Sequence, residues 1–227
     1  MRTRIATLAD AEVIAEVQCA AFMEDRLFVT IYPHRKDYPE DFQRARAELT
    51  RQRLLDPNMI TFVAEDEETG RMAGIAMWKK LNSSEPVNPH NGVLMDLERV
   101  LENASQKVSR VLRRNRAEDP SKLKLVYGVM DAGKTKYVKD QTTWYLNILA
   151  VHPDFQKRGV GKTLCRRGME LAEKDGIPTY LEASAQGEGM YRNLGWKDVG
   201  SVPGDFGVMM VMAWYPTECK VRFGGEA

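Results

Sequence analysis

The pattern of apolar and polar positions divides the chain into stretches of strand and helix character. Arg4 to Thr7 reads as a short strand. Asp10 can cap a helix in which Ala11, Ile14, Ala15, Val17, Gln18 and Ala21 give a mostly apolar face ending near Phe22. Residues 23–38 mix aromatics with charges and predict a loop. Pro39 suits the first turn of a second helix, through about Leu55. Met59 to Glu65 and Met72 to Trp78 predict a hairpin across the acidic, glycine-ended turn Asp66-Glu67-Glu68-Thr69-Gly70.

Residues 82–92 are a loop by composition. Leu94, Leu97, Val100, Leu101, Ala104, Val108, Val111 and Leu112 then recur at helical spacing. This long amphipathic helix ends in a basic cluster, Arg110, Arg113, Arg114 and Arg116. The cluster reads as a solvated face, with a phosphate or acidic-substrate site as the alternative. No period stands out over 120–143. Trp144 to Val151 is aromatic and β-branched enough for a buried strand, and Pro153, which lacks an N–H, ends it. Val160, Leu164, Gly168, Leu171 and Ala172 predict the next helix, which Gly176 stops. Pro178 to Ala183 is a strand, 185–189 a flexible glycine-containing segment, and a short helix carries Tyr191. Strands at 195–202 and 206–215 join across Pro203-Gly204-Asp205, and the tail after Pro216 is expected to be loose. The order is mixed α/β with a hairpin at each end.

Composition narrows the class. A chain of 227 residues, 43% hydrophobic and 29% charged, can bury a sizeable core. The net charge of +1 points to neither nucleic acid nor membrane as the main partner. No apolar run approaches the ~20 residues of a membrane span, and the start lacks the apolar segment of a signal peptide. Cys19, Cys165 and Cys219 lie far apart, as do His34, His90 and His152, so a reducing, cytoplasmic setting and no metal site are expected.

The most informative chemistry follows the 144–151 strand. Gln156-Lys157-Arg158-Gly159-Val160-Gly161-Lys162 opens a helix. Its glycines let backbone approach a ligand, and free N–H groups at a helix start favour an anion such as a pyrophosphate. Lys157, Arg158 and Lys162 add positive charge. The stretch ILAVHPDFQKRGVGKTL closely resembles the acetyl-CoA-binding motif of the GNAT superfamily of N-acetyltransferases, Q/R-x-x-G-x-G/A, with Gln156, Gly159 and Gly161 in its fixed positions. Met190-Tyr191-Arg192-Asn193-Leu194-Gly195-Trp196 is similar to the family's Y-x-x-x-G-F segment. The resemblance is firm over about 140–215, fair over 1–80 and absent over 82–142. It implies an α/β fold, with a mixed, mostly antiparallel sheet of six or seven strands splayed at strands four and five. It further implies one domain over 1–227, with a helical insertion at 82–142 between the third and fourth strands.

A second motif competes. Gly128-Val129-Met130-Asp131-Ala132-Gly133-Lys134-Thr135 fits the phosphate-loop pattern G-x-x-x-x-G-K-[ST] of nucleotide-binding enzymes. A phosphate loop must open a crossover helix of a dozen or more residues before the next parallel strand. Only Lys136 to Thr143 are left for it, which argues against this reading.

The resemblance also implies a division of roles in acetyl transfer from acetyl-CoA to a primary amine by direct attack. Backbone N–H groups from Lys157 to Lys162, with Gln156, would seat the pyrophosphate. Leu149, Ala150 and Val151 would line the acyl arm, Leu149 and Val151 polarising the thioester carbonyl through N–H groups. Tyr191 matches the general-acid tyrosine, the alternative being a tyrosine packed against the donor for shape. Some members carry a His or Glu at the position of Asn147, which cannot be a base. Glu182 is the substitute candidate, the alternative being a solvent-facing or salt-bridged residue. Ser184 stands where members often have Asn, and the glycines after it shorten the next helix. Glu24, Asp25, Asp37, Tyr32 and Tyr38 suit a cationic amine; Asp25, Tyr32 and Asn147 are the substrate-side candidates. The insertion is expected to fold over the acceptor as a lid. A monomer or homodimer fits, and a non-catalytic acyl-CoA binder is the alternative from a different class.

Overall fold

The computed structural model describes residues 1–219 and residue 223, except the side chains of Arg110 and Val111. Seven strands form one sheet: β1 (Arg2–Ile5), β2 (Met59–Glu65), β3 (Met72–Leu81), β4 (Thr143–Val151), β5 (Thr179–Ala183), β6 (Lys197–Gly204) and β7 (Gly207–Trp214). Their order is β1-β2-β3-β4-β5-β7-β6, antiparallel except for the parallel pair β4–β5. This is the expected mixed α/β architecture. The helices are α1 (Ala11–Ala21), α2 (Arg26–Ile31), α3 (Pro39–Leu54), α4 (Val93–Leu112), α5 (Pro120–Tyr137), α6 (Val160–Asp175) and α7 (Glu188–Asn193).

The strands β2 and β3 are apolar almost continuously because both faces of the sheet are covered. On one face, Ile14 and Val17 of α1 pack with Val63, Ile75 and Met77. On the other, Leu164 and Cys165 of α6 pack with Phe62, Trp78 and Trp144. Gly168 makes this second contact possible. A Cβ there would lie 1.9 Å from Trp78 Cε2. A helix-interior glycine costs roughly 1 kcal/mol against alanine, which the complete burial of an indole more than offsets.

One irregularity shapes the rest. On the β3–β4 ladder Met77 faces Ile148 while Trp78 faces Leu146, so Asn147 is an extra residue without a partner. Such a bulge bends and twists its strand. The strand β4 stays paired with β3 as far as Val151 but meets β5 only at Trp144↔Thr179 and Tyr145↔Tyr180. Beyond Tyr145 the two strands part.

Several expectations are corrected. The 23–38 segment contains α2, whose N-cap Asp25 accepts from Leu27 N–H at 3.0 Å and Phe28 N–H at 3.3 Å. The 120–143 segment is mostly α5, capped by Asp119 through Ser121 N–H at 2.9 Å and Lys122 N–H at 3.2 Å. Its glycines, lysines and weak amphipathicity hid it. The first strand starts at Arg2 rather than Arg4. The long 94–112 helix is present, but its apolar side faces outward: Leu94, Leu97, Leu101 and Val108 are exposed. Its polar side meets α3, where Gln106 donates to Glu48 O at 2.8 Å and Ser109 to Glu48 Oε1 at 2.8 Å. The expectations for Arg110 and Val111 fall outside the described side chains. The expected loose tail lies largely outside the described residues; Pro216, Cys219 and Phe223 are buried, and Phe223 N–H donates to Tyr215 Oη at 3.0 Å.

The Gly168 contact makes a prediction. Gly168→Ala should lower stability by about 2 kcal/mol, and Tm by roughly 4–8 °C, because backbone cannot yield to the indole. Thermal denaturation checks this; an unchanged Tm would show that the helix–Trp78 contact is looser than the geometry implies.

Candidate active site

The parting of β4 and β5 opens a cavity of about 450 Å³, roofed by α2, α3 and α5. Seven candidate residues lie on its wall. Asn147 and Leu149 come from β4, Glu182 from β5, Ser184 and Tyr191 from the segment after β5, and Asp25 and Tyr32 from the ends of α2. The candidates Ala150, Val151, Gln156, Lys157, Arg158, Gly159, Val160, Gly161 and Lys162 lie at or beyond the far end of β4, outside this cavity. Ala150 and Val160 send their side chains into the core, which leaves only their backbone to meet a ligand.

The parted strand leaves donors facing the gap. His152 N–H donates to Ala73 O on the β3 side at 2.9 Å. By the two-residue alternation of an antiparallel ladder, Ala150 also faces β3, and the N–H groups of Leu149 and Val151 turn the other way. Gln156 ties the next turn to this edge by donating from Nε2 to Val151 O at 3.1 Å. A Cβ on Gly161 would lie 3.1 Å from Met190 Sδ and 3.6 Å from Val151 Cγ2, so its absence lets the helix start close on the strand end.

Lys157 and Gly159 both take positive φ, 60° and 85°. For lysine this is a strained conformation, which turns successive N–H groups toward one side. The first α6 turn bond runs from Thr163 N–H to Gly159 O at 3.1 Å. The N–H groups before it are the orphan donors of the helix start, where the helix dipole favours negative charge. Lys157, Arg158 and Lys162 are exposed beside them. These residues fit a pyrophosphate.

Inside the cavity the titratable groups are shifted by burial. Burial, and then the nearby Cys165, raises the Tyr191 phenol above its ordinary range, so it stays protonated. Its ring packs on Trp196 at 5.7 Å. Burial raises the Glu182 carboxyl, while the Tyr145 and Tyr180 phenols and Lys134 pull it back down. Glu182 Oε1 and the Tyr180 hydroxyl nevertheless complete no hydrogen bond, and neither does Asn147 Oδ1. Glu182 is half-buried and forms no salt bridge among the described residues. Asp25 is raised by burial, against the two amide bonds of its cap.

Sequence reasoning missed part of the wall. Leu123, Val126, Tyr127, Met130 and Lys134 come from α5. Thus α5, and not the outward-facing α4, covers the cavity. Arg46 and Arg53 of α3 also line it. A signal for them existed, since Phe42, Arg46, Thr50 and Arg53 share one face of a helix whose buried residues include Phe42 and Leu54.

The competing motif has a structural role. Residues Gly128 to Thr135 lie within α5 and form no loop. Gly133 packs on the sheet: a Cβ there would lie 3.0 Å from Val202 Cγ2 and 3.3 Å from the Tyr180 hydroxyl. Lys134 pairs with Asp131 at 2.8 Å and sits 5.4 Å over the Tyr145 ring.

Residues 124–196 match the family model described as the acetyltransferase (GNAT) family. Over this third of the chain, which holds β4, α6 and the Tyr191 segment, the sequence is similar to GNAT acetyltransferases. A Stachybotrys chartarum protein named an acetyltransferase is 26% identical over 205 residues, covering 88% of this chain and 81% of that protein. A Corynebacterium glutamicum structure, described as a histone acetyltransferase and related acetyltransferase, superposes with a TM-score of 0.61 at 20% identity, over 96% of this chain and 98% of its own. The polyamine N-acetyltransferase of Drosophila melanogaster gives 0.57 at 13% identity, over 94% and 99%. At these identities the two structures establish the shared GNAT fold alone. Among the described residues, no helix is long and apolar enough to cross a membrane, and no group of three or more His, Cys, Asp or Glu could hold a metal.

Because Gly128 to Thr135 are helical, magnesium-ATP should leave Tm unchanged in both the parent protein and Lys134→Ala. A thermal-shift titration checks this; a shift with ATP that Lys134→Ala abolishes would contradict the helical assignment of the motif.

Proposed function

We propose that this protein is a GNAT acyltransferase that moves an acetyl group from acetyl-CoA to a primary amine of a small molecule, by direct attack in a ternary complex in the cytoplasm. The observation that carries the reading is the parting of β4 from β5 in front of a buried, protonated phenol and a carboxylate with an unbonded buried oxygen. A concave cavity of about 450 Å³ favours a small acceptor over a protein surface.

Acetyl-CoA supplies an acetyl group activated as a thioester. The N–H groups from Lys157 to Lys162 bind its pyrophosphate, and the exposed basic side chains support them. The Leu149 and Val151 N–H groups bind the carbonyl oxygen; loss of one such donor costs on the order of 3 kcal/mol in other enzymes. Asn147 cannot take a proton. A lysine-like amine has a pKa near ~10.4, so about one molecule in a thousand is neutral near neutral pH. Glu182, directly or through water, accepts the proton from the amine; its raised pKa makes it a stronger base than an ordinary carboxylate. Tyr191 holds the proton that the departing thiolate takes. Val160 anchors the helix start in the core on one face of the sheet, and Ala150 anchors the strand end in the core on the other.

Three outcomes follow from these roles. The parent enzyme should release CoA steadily from acetyl-CoA when a suitable amine is present, which a non-catalytic binder would not do. Tyr191→Phe should lower kcat at least about tenfold with little change in acetyl-CoA affinity; an unchanged kcat would remove the acid role. The Glu182 base must be ionised, so activity should fall as pH drops through its raised pKa, above the usual carboxylate range. A Glu182→Gln enzyme should lose that acid limb, and an unaltered pH profile would remove Glu182 from the mechanism.

A further inference from the structure

Two guanidinium groups of α3 line the cavity without a counter-charge among the described residues. Arg46 is only 3% exposed. It donates from Nη2 to Gln18 Oε1 and lies 5.0 Å over the Phe28 ring, yet its Nε is buried with no hydrogen bond. Arg53 stands seven residues on, two helical turns along the same face of α3. Its Nη1 is also buried without a partner. Neither arginine forms an ion pair among the described residues. Burial, and next the charge of Arg46, lowers Arg53 to about 10.

Arg26 also lines the cavity but is exposed, where water solvates its charge; the remaining charges on the wall are spoken for. Asp25 caps α2. Glu24 pairs with Lys36 at 2.6 Å on the exposed side. Lys134 pairs with Asp131. Glu182 sits among phenols and keeps one oxygen unbonded. What remains away from solvent is one carboxylate and the two α3 guanidiniums, each with a buried unbonded nitrogen, in a single cavity. Tyr145 lines the same cavity as Glu182 and the two arginines. Isolated buried cations destabilise a fold unless something pairs with them. Planar guanidinium forks with free N–H groups match a carboxylate.

We propose that the amine acceptor also carries a carboxylate, as in an amino acid or a related zwitterion, and that Arg46 and Arg53 hold that carboxylate while the amine faces Glu182. This rests on the acyl-transfer reading above and narrows its substrate class. The two ends of such an acceptor are complementary to the carboxylate on one side and the guanidinium pair on the other, and a plain cationic amine would leave both arginines unpaired beside it.

The test compares matched pairs, such as tyrosine with tyramine and tryptophan with tryptamine, by CoA release from the full chain. In at least one pair, the carboxylate-bearing member should have a kcat/KM at least tenfold higher, mainly through KM. Arg53→Met should raise that KM at least tenfold, and Arg53→Lys should restore part of the loss. Because Arg53→Met removes an unpaired buried charge, its Tm should not fall. Should the variant fail to fold, the comparison of pairs in the parent protein still decides. CoA release that favours the carboxylate-free member in every pair would overturn the proposal and leave acyl transfer to amines intact. Calorimetric titration of hexanoate into the acetyl-CoA-saturated protein separates the two claims. Binding that Arg53→Met abolishes, without CoA release from any amine, would keep the anion site and reject the amine acetyltransferase. No hexanoate binding and no CoA release would overturn both.

Discussion

The structure turns on how little β4 and β5 pair. A parallel ladder over their whole length would occupy the N–H groups of β4 and leave no cavity. Here pairing stops at Tyr145↔Tyr180, two residues before the bulge at Asn147. Each half of the sheet is then held by its own helix. The α6 helix, allowed in by Gly168, clamps the β2–β4 half through Trp78. The α5 helix, allowed in by Gly133, rests on the β5–β7–β6 half, where the Tyr137 hydroxyl donates to Ser201 O at 3.2 Å. The strands stay apart because each is better bound to its outer neighbour.

The same opening sets the electrostatics. Burial drives every shifted group of the cavity toward its neutral form: Tyr191, Tyr145 and Glu182 upward, Arg53 downward. Outside, at the start of α6, the basic side chains are exposed and the helix donors are open. A partly buried interior for a reaction and an exposed, positive rim for a polyanionic handle meet at the end of β4. The division is the one an acyl carrier with a charged end and an uncharged arm requires.

Much of this was legible in the sequence because it rests on local signals. The run of β-branched and aromatic residues before His152-Pro153 gave β4, and the glycine spacing after it gave the start of α6. Both lie in regular elements whose burial follows a clear period. The cavity roof was not legible. In α5, Gly128 and Gly133 mimic a phosphate loop, and only the tertiary contact of Gly133 with Tyr180 and Val202 explains the second glycine. In α4 the apolar period predicts the helix but not the way it faces, since Gln106 and Ser109 bind α3 and the leucines face away. Arg46 and Arg53 look like surface charge until the fold turns their face of α3 inward. The bulge at Asn147 has no sequence signal, for it is a property of two strands in register.

Residue-resolved amide hydrogen exchange, measured with and without acetyl-CoA, tests the central claim that the parted edge of β4 and the strained turn after it form the acyl-CoA seat. The account predicts new protection at Leu149 and Val151 and across Lys157 to Lys162, with Ala150, already facing β3, little changed. Protection confined to Gly128–Thr135, or none along β4, would contradict it.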